Sequence, residues 1–63
     1  MNDDLEWLNK TRLVEEVPGV PEGERYYLAH QGVVVGHFAS KADGEKYAAN
    51  RGIAIELFEP FEP

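Results

Sequence analysis

The chain contains no cysteine. A disulfide framework and a thiolate metal site are both excluded, so a core of its own, or self-association into a homodimer, has to supply the stability. Long apolar runs are missing too. No stretch approaches the roughly 18 residues of a membrane span, and no charged-then-apolar leader pattern is read at the start. A cytoplasmic, soluble protein is the expectation. Basic residues are scarce, with six Lys and Arg against twelve Asp and Glu and a formal net charge of −6. That balance disfavours direct contact with nucleic-acid phosphate and favours a protein partner with a basic surface.

At 63 residues the chain reads as a single domain, residues 1–63, near the small limit at which only about 60% of the unfolded surface is buried. Its core spans 11–58, between an N-terminal flank over 1–10 and an extended acidic tail over 59–63. The acidity is concentrated in the outer parts. Residues 1–22 carry six acids against two bases, residues 23–52 three against four, and residues 53–63 three against none. A near-neutral middle thus lies between two negative ends.

The middle is organised around Arg25–Phe58. Tyr26-Tyr27-Leu28 and Val33-Val34-Val35 are strand formers on either side of His30-Gln31-Gly32, which spells a three-residue hairpin loop ending in a left-handed glycine. That register pairs Ala29 with Val33, Tyr27 with Val35 and Arg25 with His37 on an outer face. It places Leu28 opposite Val34, and Tyr26 opposite Gly36, on an inner one. A helix is expected over Ser40–Gly52. Ser40 and Asp43 have capping-box spacing, Gly52 suits the left-handed stop, and Ile53 is placed to touch Ala48. Gly44, Tyr47 and Ala48 form its inward side, where small side chains permit close approach to the sheet.

The flanking segments follow the same reasoning. Asn2 or Asp3 can cap a short helix bearing Leu5, Trp7 and Leu8. Thr11–Val17 reads as an edge strand with Leu13 and Val17 inward, and Pro18–Gly23 as a loop. Ile53–Phe58 alternates, with Ile53, Ile55 and Leu57 toward the core and Ala54, Glu56 and Phe58 away. Prolines then keep the Glu59–Pro63 tail out of the sheet. The expected fold class is α+β, a small antiparallel sheet of three to four strands in the order β-β-β-α-β. One helix packs on one face, with a possible short N-terminal helix.

Chemistry-bearing patterns are thin. No phosphate loop, zinc spacing or dinucleotide glycine pattern is present. Ser40 is explained as a cap. Asp3 and Asp4, like Glu15 and Glu16, are sequence neighbours that diverge on a strand or helix. His30 and His37 are separated by most of a hairpin, too far to share a metal. No catalytic residue, metal ligand or cofactor is assigned, and the chain is read as a non-enzyme. One local pattern, Val35-Gly36-His37-Phe38-Ala39-Ser40-Lys41-Ala42-Asp43-Gly44-Glu45, resembles the strand-to-helix junction of SPOR domains, the peptidoglycan-binding modules. The resemblance implies a helix packed closely on the preceding strand.

What remains is surface. Trp7, Tyr27, Val33, Val35, Phe58 and Phe61 are the apolar candidates for contact with a partner, because large aromatics dominate interface energies and the outer sheet face is more apolar than a solvated one should be. The acidic candidates are Asp3, Asp4, Glu6, Glu15, Glu16, Glu56, Glu59 and Glu62. Two functions are expected. The first is a small acidic protein-binding module, an inhibitor or regulator of the phage anti-host or anti-defence kind, which mimics nucleic acid on a partner's basic surface. The second is a structural module that dimerises or docks on a larger complex through the apolar outer face.

Overall fold

The computed structural model describes residues 2–16 and 19–62, with side chains described from residue 6 onward. The side-chain roles expected for Asp3, Asp4 and Leu5, the cap at Asn2 or Asp3 and the inward placement of Val17 lie outside the described residues. The chain is α+β. Helix α1 spans Asn2–Asn9, and strand β1 spans Arg12–Glu15. After a 3-10 turn at Glu22–Glu24 come β2 (Tyr26–His30), β3 (Val33–Phe38), helix α2 (Lys41–Asn50) and β4 (Leu57–Glu59).

The four strands form one sheet in the order β3-β2-β1-β4. β1 and β2, and β2 and β3, pair antiparallel, whereas β1 and β4 pair parallel. Two expectations are corrected here. The sheet is mixed rather than wholly antiparallel, and β1 is an inner strand rather than an edge. One cause accounts for both. Helix α2 carries the chain back to the end of the sheet where β3 began, so β4 must run in the direction of β3, which is also that of β1. It then takes the open side of β1.

Helix α2 follows the local signals closely. The Asp43 amide donates to Ser40 Oγ at 3.2 Å. At the other end Gly52 adopts φ +71°, its amide donates to the Ala49 carbonyl, and the Ile53 amide donates to the Ala48 carbonyl at 2.8 Å. That pair of bonds is a complete Schellman stop. Gly44 and Ala48 are buried beneath the helix, where Leu13, Leu28 and Ala48 form the centre of the core. Tyr26, Val35, Phe38, Tyr47, Ile53 and Ile55 pack against that centre.

The β2–β3 hairpin departs from the expected register. His30 pairs with Val33 and Ala29 with Val34, so the turn contains only Gln31 and Gly32, both at positive φ (+54° and +83°). This is the backbone of a two-residue primed turn, whose twist matches that of the strands. An irregularity between Leu28 and Ala29 inserts one extra residue into β3, so that Leu28 meets Gly36, Tyr27 meets His37 and Tyr26 meets Phe38. The tighter turn shifts the pairing by one residue and the bulge shifts it again, which restores the alternation from Gly36 onward. Only the three valines change place. Val35, expected outside, packs against the core, and Val34, expected inside, is 51% exposed.

β4 carries a similar slip. The Glu56 and Leu57 amides both donate to the Thr11 carbonyl. Two successive amides turned to one acceptor advance the alternation by a residue, so Phe58 rather than Leu57 becomes the register partner of core Leu13. Phe58 therefore lies on the helix side of the sheet, with Lys41 Nζ 4.4 Å from its ring centroid. That corrects its expected outward direction. Ile53 and Ile55 remain packed on the core, as expected.

Candidate functional site: two unlike edges of one sheet

The strand order leaves β3 and β4 as the two edges. Val33 and Val35 of the apolar candidates lie in β3, whereas Trp7, Phe58 and Phe61 lie with the acidic candidates Glu15 and Glu59 on the β4 side. On the β4 side, Glu56 and Glu62 are exposed and Glu59 is half-buried. Glu6 of α1 and Glu56 line one shallow depression together with Asn9 and Lys10. On the β3 side, Val33 and Val34 are 61% and 51% exposed, in a strand that contains no carboxylate.

Several acidic candidates already have partners within the chain. Glu56 Oε2 accepts from the Thr11 amide at 3.1 Å, which holds the approach to β4 against the start of β1. Glu59 is shared: Oε2 accepts from Trp7 Nε1 at 2.6 Å, and Oε1 from Arg12 Nη1 at 3.4 Å. Glu15 Oε1 accepts from the Phe61 amide at 3.2 Å, so the tail is tied back to β1 and Phe61 is half-buried. Glu16 lies 3.7 Å from His37, whose ring in turn sits 6.0 Å from that of Tyr27. Glu6 and Glu62 alone among the described acidic candidates are exposed without a hydrogen bond or ion pair to the described residues.

Trp7 also has a role at home. Arg12 Cζ lies 3.8 Å from its ring centroid, and Arg12 is only 6% exposed. The guanidinium is thus held between an aromatic face and the Glu59 carboxylate, a combination that offsets the cost of burying its charge. Arg12 pairs with Ala29 in the sheet, and their side chains alternate with those of the core pair Leu13 and Leu28. They accordingly lie on the face away from α2. Trp7 of α1 thus lies over Arg12 on this face, and Ala29, the register partner of Arg12, is buried. Trp7 and Leu8 keep 42% and 40% of their own surface exposed.

Sequence reasoning missed Arg12 and Thr11 as buried polar residues, and with them the bond between Thr11 Oγ1 and His30 Nδ1 at 2.7 Å. The signal for Val34 was present: Gln31-Gly32 can be read as a two-residue turn, given that a polar unbranched residue tolerates positive φ. No sequence pattern announces the Trp7, Arg12 and Glu59 group, because its members come from three separate elements. Among the described residues, no three His, Cys, Asp or Glu side chains converge as metal ligands, and no helix is long and apolar enough to cross a membrane. Comparison of the chain with protein-family models, with curated proteins and with solved structures finds no match.

Proposed function

We propose that the protein is a small, non-enzymatic binding module of the cytoplasm that occupies a basic surface of a partner protein, as an inhibitor or regulator mimicking nucleic acid would. The observation that supports this reading is the gathering of Glu6, Glu56, Glu59 and Glu62 along the β4 side. The strongest cation nearby, Arg12, is buried and already paired with Glu59. Among the described residues that line the depression, Lys10 is the one cation facing Glu6 and Glu56, and Lys41 stands over Phe58 of β4. A field of one sign held on a folded edge steers an oppositely charged surface and raises its association rate, with a strong dependence on ionic strength.

Glu6 and Glu62 are the residues with which to test it, since changing them breaks no described contact. Charge reversal at both (Glu6→Lys with Glu62→Lys) is expected to weaken capture of the partner at low salt by at least about tenfold. The captured partner should be basic, and about 0.5 M salt should release it. Capture that withstands both the reversal and the salt sinks the electrostatic reading. A second reading, an assembly module, is favoured by the exposed Val33 and Val34 on the carboxylate-free edge strand, the place where two copies of a negative chain repel least. Sedimentation at high concentration decides it, because a strict monomer excludes the homodimer.

A further inference from the structure

Apart from both edges, an open cavity of about 380 Å³ is lined by Glu22, Arg25, Tyr26, Ala39 and Ser40. It lies where the 3-10 turn, the start of β2 and the junction between β3 and α2 meet. Its guanidinium is unusual for this chain. Twelve acids are available, yet among the described residues no carboxylate comes within ion-pair distance of Arg25. Its Nε is buried and has no hydrogen-bond partner. That nitrogen is sealed from the cavity, so the terminal Nη groups are the part of the guanidinium left to meet an acceptor there. The contrast with Arg12 is informative. Arg12 Nε also lacks a partner, but that residue has a carboxylate at Nη1 and an indole over its face, and it lines neither of the two cavities described.

We infer that this cavity binds an oxyanion, a carboxylate or a phosphate, through Arg25. Its two terminal Nη groups, which unlike Nε are not sealed from solvent, form the donor pair that receives two oxygens of one such group side by side. Among the described residues Ser40 Oγ accepts from the Asp43 amide and donates to none, so its hydroxyl proton is available to a ligand in the cavity that Ser40 lines. Tyr26, packed on the core, gives the wall rigidity. Glu22 is the opposing group: its carboxylate lines the same cavity and repels the incoming anion. The site is independent of the acidic edge, and the failure of either idea leaves the other standing.

The test is a titration of the intact protein with sodium phosphate and, separately, sodium acetate at constant ionic strength, following the Arg25 Nε–Hε and Ser40 amide signals by NMR. Saturable shifts in the millimolar range are expected, lost in Arg25→Gln. In Glu22→Gln they should saturate at about two- to fivefold lower concentration, because one partly screened repulsion has been removed. A larger response to phosphate assigns a phosphate-bearing ligand, and a larger response to acetate a carboxylate-bearing one. Should Arg25→Gln fail to fold, the Glu22→Gln arm still decides. Shifts that never saturate, that survive in a folded Arg25→Gln, or that weaken in Glu22→Gln overturn the assignment.

Discussion

Gly44 shows how finely one position is set. A Cβ built there would lie 2.7 Å from Leu13 Cδ1 and 3.4 Å from Phe38 Cδ2, and Leu13 is wholly buried with nowhere to move. Alanine would gain up to about 1 kcal/mol of helix propensity, while overpacking a filled core costs about 1–3 kcal/mol. Gly44→Ala is therefore expected to lose about 1–2 kcal/mol in urea denaturation. Gly23→Ala, with open space around it and no positive φ, should stay within about 0.5 kcal/mol. Gln31 has the opposite problem, since it holds a φ of +54° that unbranched polar residues tolerate and asparagine prefers. Gln31→Asn should raise stability by about 0.5–1 kcal/mol, measured by the same denaturation.

Among the elements, legibility followed the range of the determining interactions. Helix α2 could be read because its start and stop depend on Ser40, Asp43 and Gly52, all within one segment. The order of strands was readable for a similar reason, each being bounded by its own turn residues. The valines of β3 were misplaced because the outcome rested on a single residue: whether His30 belongs to the turn or to the strand. The inner position of β1 was invisible because its second neighbour, β4, arrives from the far end of the chain. The same distance hid the partners of the acidic candidates. Helix α1 is held to the sheet by Glu59, which receives both Trp7 and Arg12. Glu59→Ala should cost about 2–3 kcal/mol, since it strands a buried guanidinium as well as removing a hydrogen bond. Trp7 emission should shift to the red as α1 loosens, and an unshifted spectrum would show that the Arg12 stack alone suffices.

For the whole molecule, charge is the controlling quantity. A net charge of −6 on 63 residues is self-repelling, and the ion pairs among the described residues are few and mostly at the surface. Added salt screens the repulsion more than it weakens those pairs. The melting temperature should accordingly rise by about 2–4 °C between about 0.05 and 0.5 M sodium chloride, corresponding to about 0.5 kcal/mol. A fall would mean that the Arg12 and Glu59 pair outweighs the net charge. The bond between Trp7 and Glu59 has a kinetic consequence as well. It joins residues 52 positions apart, so it closes one of the largest loops in the chain, whereas the hairpin and α2 form from near neighbours. Closure of so long a loop carries its entropic cost before any contact rewards it. In refolding, the lone tryptophan should thus lag behind the far-ultraviolet signal, serving as a built-in clock for the moment at which the two ends of the chain meet.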